Sequence, residues 1–431
     1  MTRSEMRRQV PLKARKVVVT GLGVVSPNGT GLKKFWENTV AGVSGLETYE
    51  WGRRFGFKSS AMGKVKDFVP SLFGVPSGDR AMHGRYLQFA IAASEMAVQD
   101  ARLDTAGLDP ARFGVSVSSA IADASSMEEN LLLLTRGCRG IAPLWMDRRL
   151  RENLDFGLAA SRIARRFGAM GGVSNLSTGC TAGVDAVGFG MDQIRSGRQD
   201  VMLVGASEAP LCPLAVGSFE ALGALSTRQC GNAIEASCPY SAERDGFVLA
   251  EGCGMLVLES SEHALQRGAR IYAELAGYAS VNNAFHMTDL HSEGLDLARC
   301  IRLALASSGC PLDEVDHVSG HGSSTPQNDR NETAAIKAVF GDRAREITVN
   351  SLKSMTGHAL AAANTIETVA LCLEIQNEIL HPTINYLTPD PSCDLDYVPQ
   401  EARRAAIRSA VKLSSGFSGI HSALVLSAVE Q

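Results

Sequence analysis

A chain of 431 residues exceeds the roughly 250 to 300 residues at which one hydrophobic core stops growing, so two tightly joined units are expected. Hydrophobic residues at 45% and charged residues at 20% are those of a globular protein, and no low-complexity run or Pro/Ser-rich linker interrupts them. The 42 Lys+Arg against 46 Asp+Glu leave a net charge of −4, which gives a nucleic-acid partner no support, and no run reaches the ~18 to 20 apolar residues of a membrane span.

In chain order, Arg3, Arg7, Arg8, Lys13, Arg15 and Lys16 gather at the N-terminus. They read as a frayed, solvated end, with contact to an acidic partner as the other reading. The run "VVVTGLGVV" that follows is too short for a signal core, holds a Thr and two Gly, and runs into Pro27. Residues 15–23, 113–120, 200–209 and 246–259 read as buried strands, because β-branched or apolar runs end on Gly or Asp. Between the first two, "RYLQFAIAASEMAVQDA" places Leu87, Ala90, Ile91, Ser94 and Val98 on one helical face. The alternation predicts a layered α/β chain.

The second part of the chain echoes the first. "GGVSNLSTGCTAGVDAVGFGMDQI" reads as strand, small-residue turn and helix, with Val184, Val187, Met191 and Ile194 on one stripe. "EITVNSLKSMTGHALAAANTIETVALCLEI" repeats the pattern with Ile366, Val369, Ala370 and Leu373. Each is followed by a Gly-punctuated hydrophobic run that reads as a pair of strands, "DGFVLAEGCGMLVLES" and "SAVKLSSGFSGIHSALVLS". A duplicated α/β unit is expected, divided into halves 15–262 and 263–428.

Ten cysteines without a repeated spacing or a C-x-x-C pair suggest reduced thiols in a cytoplasmic protein. Cys180 stands apart. A helix starting just after Gly179 would place it near unpaired N–H groups and the positive end of the helix dipole, which favour a thiolate. A packed core thiol is the competing reading. His321 in "DHVSGHGSSTPQND" and Lys353 and His358 in "NSLKSMTGHALAAA" come from two further strand ends. One cysteine and two histidines delivered by three strand ends form a plausible site for acyl chemistry. Gly21-Leu22-Gly23 is not a dinucleotide loop, because Ser26 replaces the third glycine and Pro27 follows. His317 and His321, four apart, lie on a strand-like run without an adjacent Glu or Cys pair, so no metal site is expected.

The stretches "STGCTAGVDAVG", "HGSSTPQNDRNETAA", "NSLKSMTGHALAAA", "PTINYLTPDPSCDLDYVP" and "GFVLAEGCG" resemble the β-ketoacyl-acyl-carrier-protein synthases of the thiolase superfamily. The likeness runs from about Arg15 to Leu426. "TGCTAGVDAVGF" and "QNDRNETAAIK" are most similar to the ketosynthase alpha subunit of bacterial type II polyketide synthases. The resemblance implies a thiolase fold: two βαβαβαββ halves in a five-layered αβαβα sandwich, usually dimeric. It implies Cys180 as the acylated nucleophile, His321 and His358 as the malonyl-site pair, and Lys353 with Glu332 as a supporting ion pair. Phe417 matches the gate beside the acyl pocket and, with Cys180, supplies backbone N–H groups to an oxyanion. Thr288, Ser323 and Thr325 match the lining of the phosphopantetheine tunnel.

The implied reaction is decarboxylative Claisen condensation of malonyl-acyl carrier protein with a Cys-bound acyl chain. It extends an aromatic or polyene polyketide by two carbons. No cofactor is implied, since substrates arrive on the carrier's phosphopantetheine. The implied partners are acyl carrier protein and a chain-length-factor subunit in a heterodimer, or otherwise a homodimer, and contact is expected through the helix and strand around residues 174–200. Fatty-acid elongation by a 3-oxoacyl-acyl-carrier-protein synthase II is the alternative activity. A non-catalytic chain-length-factor-like subunit is the alternative of another class, and Cys180 argues against it. A degradative thiolase needs a second cysteine near the C-terminus, but the last here is Cys393. Three departures fall near the gate, where Ser418, Ile420 and His421 replace a Gly, a Thr and an Asn. Ser241 also stands where an Asp is usual, and "ALAAAN" replaces a more Gly-rich helix start.

Overall fold

The structure is a computed structural model and describes residues 15–78, 84–135, 137, 139–140, 155–228, 232–291 and 293–429. Arg3, Arg7, Arg8 and Lys13 lie outside them. Arg15 and Lys16 are engaged: Arg15 pairs with Asp200 and Glu262, and Lys16 with Glu274.

The first half holds strands β1 (Val17–Ser26), β2 (Phe113–Ser118), β3 (Val173–Ser174), β4 (Val201–Glu208) and β5 (Gly252–Ser260). The second holds β6 (Ala273–Asn282), β7 (Val315–Ser319), β8 (Thr348–Asn350), β9 (Ser409–Gly416) and β10 (Ile420–Ser427). Their hydrogen-bonded order is β8-β7-β9-β10-β6-β1-β5-β4-β2-β3, with the short strand Gly29–Thr30 pairing off β1. Read outward from the middle, both halves run first, fifth, fourth, second, third. The pairing senses also match: β2 is parallel to β3 and β4 as β7 is to β8 and β9, and the remaining neighbours are antiparallel. Within the sheet the halves meet where β1 pairs with β6, at Val18 with Glu274 and Val19 with Ala273.

Helices fill three layers around the strands. Helices α1 (Arg85–Asp100) and α2 (Leu158–Phe167) cover the outer face of the first half, and α4 (Leu295–Ser308) and α5 (Pro326–Phe340) that of the second. Between them lie α3 (Ala182–Arg195) and α7 (Leu360–Asn377), preceded by the one-turn α6 (Lys353–Thr356). Val184, Val187, Met191 and Ile194 of α3 and Ile366, Val369, Ala370 and Leu373 of α7 share one buried cluster with strands of both halves. Every residue of α7 from Leu360 to Ile375 is buried, as expected of a helix sandwiched on all sides. No helix among the described residues is long and apolar enough to cross a membrane.

Three expectations need correction. The run 246–259 is not a pair of strands: only Gly252–Ser260 forms a ladder, while Phe247, Leu249 and Ala250 make single bridges to Leu225, His358 and Gly63. The antiparallel pair of the first half is β4 with β5. Helix α3 starts at Ala182, after a 3-10 turn over Gly179–Thr181. The small residues of α3 are not a free surface for a partner either, because they serve the central layer. A Cβ on Gly183 would come 2.4 Å from the Ala361 carbonyl oxygen, and one on Gly188 would come 2.5 Å from the Tyr278 ring. Within the expected contact segment, the open edge is β3, the last strand of the path. Gly21 and Gly23 also have a packing reason, since a Cβ on either would lie 2.3 or 1.9 Å from a carbonyl oxygen of α1.

Candidate active site

The turns that leave β3, β7, β8 and β9 at their carboxyl ends converge. Cys180 lies in the 3-10 turn after β3, His321 two residues beyond β7, Lys353 on α6 after β8, and Phe417 in the turn between β9 and β10. His358 lies between α6 and α7. One pocket of about 490 Å³ is lined by Cys180, His321, His358, Phe417, Thr288, Ser323 and Thr325. Thr288, Thr325 and Phe417 also line a second pocket of about 780 Å³, which adjoins the first at these residues. Ser323 and Thr325 share a hydroxyl hydrogen bond of 2.9 Å, and Thr325 caps α5 by accepting from the Asn328 N–H.

The two imidazoles stand edge to face, with centroids 5.2 Å apart. Among the described residues, Nδ1 of each is buried without a hydrogen-bond partner. Burial holds both rings well below the usual histidine range, and the ammonium groups of Lys353 and Lys412 push in the same direction. Both are therefore neutral at pH 7.

The expected Lys353–Glu332 ion pair is not formed. Lys353 Nζ donates to Glu367 Oε1 at 2.5 Å and to the His321 carbonyl at 2.6 Å. The other Glu367 oxygen pairs with Lys412 at 2.7 Å. Glu332, on α5, instead accepts from the Tyr240 hydroxyl at 2.7 Å and from the backbone N–H of His321 at 2.8 Å. The two residues thus grip His321 from opposite ends, Glu332 at its N–H and Lys353 at its carbonyl. Glu367 and Lys412 belong to this buried cluster and were missed by the sequence reading. A signal for Glu367 was present: with Glu374 it is the only charge in a helix that is apolar all round, and such a charge must be paired.

The thiolate expectation also needs correction. Burial pushes the Cys180 thiol up to about 12, with Glu208 adding to the shift. Lys353, the Phe417 N–H and the Cys180 N–H favour the thiolate but do not outweigh desolvation. The same two N–H groups converge on the sulfur from the turn and from the gate. The Cys180 carbonyl is held by the Asn364 side-chain amide and, at 3.4 Å, by the Ser414 hydroxyl. Asn364 stands in the "ALAAAN" departure, which therefore contacts the nucleophile turn.

At the gate, Ser418 adopts φ 68°, a left-handed conformation that favours glycine. It is held by its N–H to the Met287 carbonyl at 2.5 Å and by the Asn282 amide on its carbonyl at 2.7 Å. His421 is buried behind the gate with Nδ1 2.9 Å from the Ser415 hydroxyl. Burial pushes it down to about 4, against the pull of Asp296. A histidine depressed in the fold is protonated first in the unfolded chain, so its stabilising effect is complete above pH 6.5 and lost as pH falls towards 4. Replacing His421 by Asn is expected to remove up to about 1.4 kcal/mol per pH unit of that loss. Denaturant unfolding between pH 7 and pH 4.5 reads the slope.

Comparison with known families decides the assignment. The family models described as "Beta-ketoacyl synthase, N-terminal domain" and "Beta-ketoacyl synthase, C-terminal domain" match residues 14–264 and 272–387. The chain belongs to the β-ketoacyl synthase family. It is an acyltransferase of the condensing type, and its fold is the thiolase fold. It is 39% identical over 418 residues to the tetracenomycin polyketide synthase ketoacyl synthase alpha subunit of Streptomyces glaucescens, covering 96% of this chain and 97% of the relative. The ketosynthase of the AntDE:AntF complex, a type II PKS acyl-carrier protein with its ketosynthase bound to the hexaketide, is 57% identical, with a TM-score of 0.92 over 97% of this chain and 100% of that one. A chain of the ishigamide ketosynthase/chain length factor is 36% identical, with a TM-score of 0.88 over 97% and 100%.

Proposed function

We propose that this β-ketoacyl synthase is the ketosynthase alpha subunit of a type II polyketide synthase. It receives acyl and malonyl groups from an acyl carrier protein and works beside a chain-length-factor subunit. The observation that carries the reading is the convergence of Cys180, two neutral histidines and two backbone N–H groups in one pocket reached past Thr288, Ser323 and Thr325. The half 15–262 supplies the nucleophile and the half 263–428 both histidines.

In the first half-reaction the Cys180 sulfur attacks the acyl thioester, and its proton ends on the departing carrier thiol. The Cys180 and Phe417 N–H groups hold the oxyanion of the tetrahedral intermediate. In the second, the malonyl carboxylate leaves as CO2 and the electron pair it releases forms an enolate, whose oxygen accepts N–H from His321 and His358. Their neutrality matters twice: each donates one N–H, and neither brings a charge that would trap the malonyl carboxylate. The enolate carbon then attacks the Cys180 thioester and expels the thiolate, which takes a proton from water. These steps draw on no metal or nucleotide. The free cysteines support a reducing, cytoplasmic setting.

The test is reconstitution with acyl- and malonyl-carrier, with and without a chain-length-factor subunit. The proposal expects ketoacyl-carrier only when the partner is present. Full two-carbon extension by the chain alone as a homodimer would favour fatty-acid elongation, and no acylation under either condition would leave a binding subunit.

A further inference from the structure

The residues that flank Cys180 lead to one buried carboxylate that the reaction above does not use. Asp185, in the first turn of α3, is 3% exposed. One of its oxygens accepts from the hydroxyls of Thr178 and Thr181, the latter at 2.9 Å. These residues lie two before and one after the nucleophile. The other oxygen accepts from Tyr278 on β6 at 2.9 Å and Ser422 on β10 at 2.5 Å. Among the described residues Asp185 makes no ion pair, so four hydroxyls are the partners of a buried carboxyl group. That is a costly arrangement to keep without a purpose.

The arrangement is built on both sides. Tyr278 reaches Asp185 only because Gly188, one turn further along α3, leaves space: a Cβ there would come 2.5 Å from the Tyr278 ring. A glycine inside a helix costs about 0.5 to 1 kcal/mol relative to alanine. The two strands that reach the carboxylate also lead to the gate. Strand β10 begins at Ile420, directly after the gate turn, and β6 ends at Asn282, whose amide holds the Ser418 carbonyl. The nucleophile turn and the gate supports therefore meet at one acceptor.

We propose that Asp185 is a positioning residue for acyl transfer. It fixes the Thr178–Thr181 turn so that the Cys180 sulfur and N–H face the pocket, and it ties that turn to the strands that carry the gate. The proposal rests on Cys180 being the acylated nucleophile.

The test compares Asp185→Asn and Tyr278→Phe with the parent protein, assembled with its partner subunit, by three rates: alkylation of Cys180 by iodoacetamide from pH 6 to 10, acyl transfer from acyl-carrier, and decarboxylation of malonyl-carrier. A misaligned turn slows the sulfur without touching the histidines, and displacements of an ångström cost up to ~10²-fold. Asp185→Asn is expected to slow both alkylation and acyl transfer roughly 10- to 100-fold across that pH range. Decarboxylation should stay within about twofold. Tyr278→Phe removes one hydroxyl at nearly constant volume and should show the same pattern, more weakly. Alkylation and acyl transfer at parental rates in both variants would overturn the proposal. So would an equal fall of all three rates, which marks a residue that only stabilises the fold. If Asp185→Asn does not fold, Tyr278→Phe decides on the same criteria. Failure of the condensing reading itself looks different: the parent protein would be alkylated at Cys180 yet never acylated, and the alkylation comparison would still report on Asp185.

Discussion

Replacing Cys180 by Ala is expected to abolish the acyl adduct and lower condensation by on the order of 10³-fold or more, because without the sulfur the two half-reactions have no shared intermediate. Decarboxylation of malonyl-carrier should survive. The enolate oxygen is held by His321 and His358, which come from the second half of the chain; His321 keeps its supports at Glu332 and Lys353, and His358 its backbone bonds to Val248 and Ala250. Intact-mass measurement of the protein, together with assay of CO2 release, separates the two outcomes. Loss of decarboxylation in the Ala variant would mean that the thiol takes part in that step and that the division of labour is wrong. Substituting either histidine should give the opposite pattern, with acyl transfer retained and decarboxylation lowered by ~10² to 10³-fold for each donor removed.

The second large effect is on stability. Glu367 is the carboxylate between two fully buried ammonium groups, 2.5 Å from Lys353 and 2.7 Å from Lys412. Glu367→Leu leaves both lysines buried without a counter-ion, and breaking a buried pair in this way costs about 3 to 5 kcal/mol. It also frees Lys353 from the position in which it holds the His321 carbonyl, so activity should fall along with stability. Lys412→Met removes the excess positive charge and leaves the Lys353–Glu367 pair intact, so it should cost much less. The double variant Glu367→Leu with Lys412→Met should recover part of the loss, because one buried charge then remains instead of two. Denaturant unfolding of the three variants measures this coupling. Additive effects would show that the three groups do not act as a unit.

The parts of this site that the sequence made legible are those whose chemistry depends on residue type at a strand end. A cysteine among small residues and two histidines delivered by further strand ends pointed to acyl chemistry, and the two strand-turn-helix echoes revealed the duplication that the mirrored sheet order displays. Pairings across the fold were less legible. Glu332 and Glu367 both lie on helices near His321 or His358 in sequence. Only the packing of α5 behind β7 and of α7 beneath α6 shows that the first meets a backbone N–H and the second meets the lysine. The small residues of α3 suggested a surface for a partner, yet small side chains serve a crowded centre equally well, and here Ala361, Tyr278 and Val204 occupy the space they leave. The Cys180 thiol failed expectation for a physical reason of the same kind. A helix terminus is visible in sequence, but the desolvation that outweighs it depends on distant residues, and Cys180 packs against a cluster that includes Phe247, Leu249 and Leu360.

A single turnover tests the central claim most directly. Enzyme carrying one acyl group on Cys180 is isolated, mixed with malonyl-carrier labelled in its free carboxyl carbon, and quenched over time. The account predicts that loss of the Cys180 adduct, release of labelled CO2 and appearance of ketoacyl-carrier two carbons longer proceed together in equal amounts. Loss of the adduct as free acid, or CO2 release with the acyl group still on Cys180 and no ketoacyl-carrier formed, would contradict it.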